Sequence, residues 1–431
     1  MNRRGFRIIL VLGLAAAAVG LCISLTSSHK EEAVLPDGRV QLRLNEALTN
    51  EISDTSALTG LDTKIQSYMR QWGLHGASLA IMRNDSLVYA KGYGWADEEK
   101  QVKMQPSNIL RVASVSKLLT AAGIMLLQDQ GKLNIKDTVF GPRGILTDTT
   151  YTSVMKDPNY KKITIEDLLR HKGGFTSYGG DPMFSTRTIM QTNHLDTPPD
   201  NTELMRIMLR RRLRFVPGTS QYYSNFGYLL LSKVIEEVSG QPYEEFMQKN
   251  VLEPAGCYDM HIAENYYKDK RKNEVRYYNG ADTCLVDEFN NSGNMVERCY
   301  GGSDIHSLSG AGAWVCSTPE LARFVASIDG RTEIPNVISQ ASVNAMTEWF
   351  DERTYSLGWN DTNPTGEWTR TGTLSGTSAL VKYYPDGECW IMVTNTSTWK
   401  GPGFTRYTAG LFRTLREKYS AKLPARDLFY K

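Results

Sequence analysis

Ser114 and Lys117 stand three residues apart at the start of the stretch RVASVSKLLTAAGIMLLQDQG (111–131). On a helix that spacing makes them surface neighbours. A serine at a helix start is surrounded by unpaired backbone N–H groups and by a dipole that favours negative charge. Its own N–H can then face a developing oxyanion. A lysine held close by and partly removed from water has a lowered pKa and can accept the hydroxyl proton. Taken alone, the pair reads as well as an N-cap and a solvated side chain, since S-x-x-K recurs by chance. Ser116 is the local competitor, but no basic residue follows it three positions on.

Two further stretches add polar groups. Tyr223-Ser224-Asn225 immediately precedes an apolar run closed by Gly240. A phenol relays a proton when a nearby cation lowers its pKa, and an asparagine amide can orient both a lysine and a substrate. Tyr222 competes with Tyr223, and Asn225 also reads as a turn or cap residue. Arg370-Thr371-Gly372 lies ahead of SALVKYYPDGECWIMVTN (378–395). An arginine there can hold a carboxylate bidentately, and Gly372 permits close approach of a substrate to a strand edge. A strand-end arginine beside a turn glycine is the plainer alternative.

The elements that position these groups follow from periodicity. Leu61, Ile65, Tyr68, Met69 and Trp72 fall on one helical face, stopped by Gly73. ASLAIMRNDSLVYAKGYG (77–94) is two β-type runs around the turn RND. Val115, Leu118, Leu119, Ala122, Met125 and Leu126 form the stripe of the Ser114 helix, which Gly131 ends. Thr164 and Asp167 approximate a capping box. Phe226, Leu230, Val234, Ile235 and Val238 mark a helix after Asn225. Residues 264–305 read as an irregular insertion, 378–395 as a strand, a Pro-Asp-Gly turn and a strand, and 404–419 as a closing helix. Strands lie early and late, with helices between. The expected fold is α+β: a mainly antiparallel sheet flanked by N- and C-terminal helices, with an inserted, mostly helical lobe. The sheet lobe is expected over about 55–135 and 340–420 and the helical lobe over about 136–339, after a leader (1–27) and a linker (28–54).

The leader is basic and then apolar. Arg3, Arg4 and Arg7 precede IILVLGLAAAAVGLCISL (8–25), the pattern of an export signal or membrane anchor. The arginines would stay on the cytoplasmic side and send the remainder outward, to the periplasm or cell envelope. Cys22 invites lipidation, although Leu21 is not the small residue such a site prefers. The other cysteines are Cys257, Cys284, Cys299, Cys316 and Cys389, an odd set. Cys284 and Cys299, which bracket a polar loop, are the expected pair. The net charge of +2 on 431 residues argues against nucleic acid as a partner, and RRRLR (210–214) reads as a solvated helix face. No CxxC, HExxH or histidine cluster points to a metal, and no cofactor is expected.

Taken together, the three motifs resemble the serine β-lactamase and penicillin-binding protein superfamily, and more narrowly its class C β-lactamase-related branch of esterases and D-amino-acid peptidases. Ser114-Val115-Ser116-Lys117 matches S-x-x-K, and Tyr223-Ser224-Asn225 matches Y-x-N in a PGxxxxYSN setting with Pro217 and Gly218. Arg370-Thr371-Gly372 stands where the family has K-T-G or H-T-G. HGASLAIMRNDSLVYAKGYGWAD, ITIEDLLRHKGGF, SGAGAWVCSTPELARF and YSLGWN support the resemblance from about residue 55 to about 415. It implies a two-lobed fold with the site between sheet and helical lobe. Ser114 would be the acylated nucleophile. Lys117 and Tyr223 would share the base and acid steps, and Asn225 would orient them. The N–H groups of Ser114 and Thr373 would form the oxyanion hole, and Arg370, Thr371 and Gly372 would bind substrate. Arginine in the third motif departs from the family pattern, and its fixed charge alters the relay role. The glycines of TGTLSGTSA also sit differently from the common GGTPG pattern. The expected substrate is a small molecule or peptide, with a free carboxylate favoured by Arg370. The competing function is a catalytically silent ligand-binding module. A Ser-His-Asp α/β hydrolase fits less well, because the sequence has no G-x-S-x-G elbow.

Overall fold

Asn84 and Asp85 both hold positive φ, 46° and 61°, and make the tight turn between β1 (Gly76–Arg83) and β2 (Ser86–Asp97). A two-residue turn of that hand matches the twist of the strands it joins. The computed structural model describes residues 38–177, 180–280, 285–351 and 353–431. The leader with Cys22 therefore lies outside the described residues, as does Cys284. Among the described residues no helix is long and apolar enough to cross a membrane. Cys257, Cys299, Cys316 and Cys389 are free and buried, and the thiol of Cys299 donates to Asn279 Oδ1 at 3.1 Å.

Both ends of the chain build one antiparallel sheet. β3 (Val102–Lys103), β2 and β1 supply one side. β12 (Glu388–Thr394), β11 (Thr377–Tyr383), β10 (Trp368–Leu374) and β9 (Asp361–Thr362) supply the other. The order is β3-β2-β1-β12-β11-β10-β9. The join is the β1–β12 ladder, from Ala77 opposite Thr394 to Arg83 opposite Glu388. Arg370-Thr371-Gly372 thus belongs to a full strand, β10, rather than to a turn before the late hairpin. Two smaller sheets hold β4 (Leu110–Arg111), β5 (His261–Ile262) and β8 (Trp314–Cys316), and β6 (Leu285–Asp287) with β7 (Met295–Glu297). The last pair is a short hairpin inside the segment read as irregular.

One face of the large sheet packs against α1 (Thr59–Trp72) and the closing helix, α5 (Phe404–Tyr419). Leu61, Ile65, Tyr68 and Met69 meet Tyr89, Trp390, Phe412 and Leu415 in a single core. The other face takes α4 (Thr318–Ala326), whose Thr318 hydroxyl bonds Ser78 at 2.8 Å. α2 (Ser116–Asp129) is not an amphipathic surface helix. Every residue from Ser116 to Met125 is buried, so it runs through the interior. α3 (Asn225–Ser239) packs beside it and is buried over most of its length. The Thr164–Asp167 capping box forms with both of its reciprocal bonds.

The linker reading of 28–54 extends too far. Leu44 and Leu48 are buried around the short helix Leu44–Ala47, and the Ser53 hydroxyl donates to Ala90 O at 2.7 Å. The short helix meets α4 and the turn at Ser53 docks onto β2, which local composition does not reveal. Arg43–Phe429 form one compact unit. Residues 38–42 with Tyr430–Lys431 form a second, in which Gln41 and Tyr430 make an antiparallel bridge.

Candidate active site

Ser114 sits in a 3-10 turn, Ala113–Val115, that leads into α2. Ala113 is buried and carries φ +50°, a left-handed conformation that non-glycine residues rarely adopt. Such strain persists where the surroundings over-determine it. Here they do: Val112 N donates to Trp314 O at 3.0 Å, and Trp314 N donates to the Ser116 hydroxyl at 3.1 Å. The competitor serine is therefore a buried strut between α2 and β8, while Ser114 stays partly exposed.

Strand β10 comes close because Gly372 has no side chain. A Cβ there would fall 2.2 Å from Val112 O and 3.0 Å from Ser114 N. On the neighbouring position of the same buried strand face, Arg370 Nε donates to Ser114 O at 2.7 Å. Arg370 is 0% exposed, and among the described residues no acceptor meets the hydrogen-bond geometry of its two terminal nitrogens. The guanidinium thus lies behind the serine rather than on the wall of the cleft. Thr371 turns the other way. Its N–H and hydroxyl both donate to Asn360 Oδ1, at 2.6 and 3.1 Å.

Lys117, one turn along α2, is also 0% exposed. Its ammonium nitrogen donates to Asn225 Oδ1 at 2.6 Å, to Ala311 O, and to Ser114 Oγ at 3.3 Å. Burial, then the nearby Arg370 charge, hold its pKa well below the ordinary lysine range, with Asp181 pulling the other way. A neutral amine keeps two N–H groups for Asn225 and Ala311 and leaves its lone pair for the serine hydroxyl. From just before α3 the Tyr223 hydroxyl donates to Ser114 Oγ at 2.7 Å. Burial raises the Tyr223 pKa, and Arg370 and the bond to Ser114 oppose that rise. The phenol is therefore held protonated, ready to donate.

The α3 start explains why Asn225 is available. Ser224, not Asn225, caps the helix by accepting from Gly227 N at 3.1 Å. That leaves the Asn225 amide to bridge Lys117 and Asp181, to which its Nδ2 donates at 2.7 Å. Tyr222 points outward, 45% exposed, where it accepts from the Ser177 hydroxyl at 3.1 Å.

Ser114, Tyr223, Asn225, Thr371, Gly372 and Thr373 line one cleft of about 300 Å³. Lys117 and Arg370 lie buried beneath it. Three contributors were not among the candidate site residues of the sequence. Asp181 comes from an irregular loop. Asn360 ends the YSLGWN segment. His171, within LLRHKGG, packs its ring 4.4 Å from that of Tyr223 and accepts Ser224 N on Nδ1 at 3.2 Å. Burial first, then Lys117 and Arg370, keep His171 well below its usual pKa, so a neutral ring braces the tyrosine. Among the described residues no group of three or more His, Cys, Asp or Glu side chains could hold a metal.

Comparison with known proteins bears on the family and the fold. A family model described as Beta-lactamase matches residues 61–413. The chain is 25% identical over 402 residues to a putative penicillin-binding protein, PbpX, of Bacillus subtilis (strain 168), covering 91% of this chain and 90% of that protein. It superposes with a TM-score of 0.62 on the D-amino acid amidase of Ochrobactrum anthropi SV3, at 18% identity and with 84% and 98% of the two chains covered. With EstCE1, a hydrolase with promiscuous acyltransferase activity, the TM-score is 0.63 at 19% identity, covering 84% of this chain and all of that one (100%). By a family match that spans most of its length, this protein belongs to the beta-lactamase family of hydrolases.

Proposed function

We propose that the protein is a serine hydrolase of the class C β-lactamase-related type that cleaves an amide or ester through an acyl-enzyme on Ser114. The observation that carries this reading is the convergence of an acid and a base on one oxygen. Tyr223 OH lies 2.7 Å and Lys117 Nζ 3.3 Å from Ser114 Oγ. In the acylation step, neutral Lys117 takes the Ser114 proton as Oγ bonds to the substrate carbonyl carbon. The N–H groups of Ser114 and Thr373 receive the oxyanion. Tyr223 protonates the departing amine or alcohol as its bond to carbon breaks, and Lys117 returns a proton to the phenol. Water then enters by the same route, and the acid leaves Ser114 free. Arg370 serves electrostatically: its buried charge favours neutral Lys117 and eases ionisation of Tyr223.

The fold neighbours include an amidase and a promiscuous hydrolase, which supports amide or ester substrates over any single named one. The basic, apolar leader supports export to the envelope with attachment through residues 8–25. Recovery of the full chain in a membrane fraction, and its loss when residues 1–27 are removed, is the expected result of cell fractionation.

Intact-mass spectrometry after a fluorophosphonate, and separately after a penicillin, tests the nucleophile. One adduct per chain is expected with the fluorophosphonate and none in Ser114→Ala. Labelling by penicillin as well would mark a β-lactam-recognising site. A folded protein that takes neither reagent would leave the silent ligand-binding module as the reading.

A further inference from the structure

We infer that Phe184, with the apolar wall it joins, is the specificity-determining residue that selects an uncharged, apolar acyl group for transfer to Ser114. This deepens the acyl-enzyme reading and rests on it for the nucleophile. Among the described residues lining the Ser114 cleft of about 300 Å³, none bears a charged side chain. The two cations beneath it, Lys117 and Arg370, are both 0% exposed, so neither presents its charge on the wall. Phe184, Leu308, Ala311, Leu374 and Pro402 make that wall apolar. They come from four segments: the 3-10 turn Pro182–Phe184, the 3-10 segment His306–Ala311, β10, and the turn Gly401–Gly403. In such a pocket a few polar groups fix the reacting atoms and the apolar walls take the rest of the ligand.

Leu308, Ala311 and Leu374 are buried, whereas Phe184 is 42% exposed, a large apolar side chain left in water beside the nucleophile. A ligand that covers it gains the burial that the folded chain forgoes. The turn that carries it is held firmly. Pro182 fixes the backbone at its start. Phe184 N donates to Asp181 O at 3.0 Å, and the Ser185 hydroxyl donates to the same oxygen at 2.7 Å. Asp181 Oδ1 accepts from Met183 N at 3.0 Å, and its Oδ2 accepts from Asn225 Nδ2 at 2.7 Å. One residue therefore fastens both the Phe184 turn and the amide that meets Lys117. A wall fixed in this way discriminates by size and polarity. Tyr223 lines this cleft and also a neighbouring cavity of about 820 Å³. As the acid for the leaving group, it directs that group toward the neighbouring cavity and leaves the apolar wall to the acyl chain. The Asp181 carboxylate beside Asn225 adds a negative charge that disfavours an anionic acyl group. The substrate class is therefore an ester or amide of an uncharged aliphatic or aromatic acid.

The probes are the p-nitrophenyl esters of acetic, butyric and hexanoic acid, and the mono-p-nitrophenyl ester of adipic acid, in which a carboxylate replaces the terminal methyl of hexanoate. kcat/KM is compared in the full chain, in Phe184→Ala and in Phe184→Leu. Two further methylenes on an apolar wall correspond to a preference of about 15-fold for butyrate over acetate. Hexanoate is expected to exceed the adipate ester by about tenfold or more, because a carboxylate on that wall loses water without gaining a partner. The butyrate-to-acetate ratio is expected to fall about fourfold in Phe184→Ala and to recover in Phe184→Leu. An unchanged ratio in Phe184→Ala, or an adipate ester turned over as well as hexanoate, overturns the assignment. Calorimetric binding of the butyrate and acetate esters to Ser114→Ala, with and without Phe184→Ala, separates this from the hydrolase reading. A butyrate preference that weakens in the double variant supports Phe184 even if no ester is hydrolysed. A preference that persists undiminished, or that is absent from the start, overturns it.

Discussion

Lys117 carries the protonation logic of the site. Its amine is buried beneath Ser114, and its depressed pKa follows from that burial and from Arg370. A base that must be neutral yields an acid limb in the pH profile of kcat/KM, with activity lost as Lys117 is protonated. Asp181 favours the charged amine. Removing that carboxylate lowers the Lys117 pKa further, so Asp181→Asn is expected to move the acid limb to lower pH. A limb that stayed in place or moved up would show that another group controls it. Asn225, which bonds both residues, transmits any change in geometry, so the variant needs a fluorophosphonate labelling rate alongside the profile.

At the level of elements, the site depends on how closely β10 approaches the turn before α2. Gly372 sets that distance. In Gly372→Ala the new Cβ meets the Val112 carbonyl at 2.2 Å, a backbone atom that no rotamer can move. β10 must then retreat, carrying with it Thr373 and the Arg370 side chain bonded to Ser114 O. A loss of stability of about 1–3 kcal/mol is expected from such overpacking, together with a fluorophosphonate labelling rate reduced at least tenfold. Denaturant melts and labelling kinetics measure the two. Near-normal labelling would mean that the strand and the serine turn are not coupled as the contacts imply. Asn360 extends the same control, because its amide takes the Thr371 N–H beyond the end of β9.

Across the whole molecule, the N-terminal hairpin, the end of the middle segment and the late strands meet at a buried carboxyl pair. Asp85, in the β1–β2 turn, is 1% exposed. Asp329, shortly after α4, accepts from Tyr383 OH on β11 at 2.8 Å and from Arg331 N at 2.9 Å. Burial, then the charge of Asp329, push Asp85 up to about 8. The folded state therefore holds a proton that the unfolded state releases near the ordinary carboxylate pKa. Stability is full below that value and falls as pH rises from about 4 to about 8. Asp85→Asn keeps a donor there without the proton, so its melting temperature is expected to exceed that of the parent at pH 8 and to depend less on pH. Thermal melts of both proteins from pH 5 to 9 check this, and parallel curves would remove the pair from the account.

Local chemistry carried a good deal of this protein in its amino-acid order. The S-x-x-K spacing works within one helical turn, the Asn84-Asp85 turn sets its hairpin, and Thr164 with Asp167 forms its capping box, because each needs only neighbours in the chain. The antiparallel sheet shared by both ends followed from two alternating runs with turn residues between them. Arg370 is different. Its sequence position suggested a group that reaches substrate, yet packing of β10 on the serine turn buries it completely. Asp181 carries no local signal, and the segments holding His171 and Asn360 support the resemblance without giving either residue a role, since each of the three acts on a partner 11 to 53 residues away in the chain. The same holds for the lysine pKa. A sequence can place an amine near a hydroxyl, but the exclusion of water that makes it a base arises from Asn225, Ala311 and Arg370, distant in the chain, packing around it. Long-range packing decides which side chains face solvent, and with that which of them are charged.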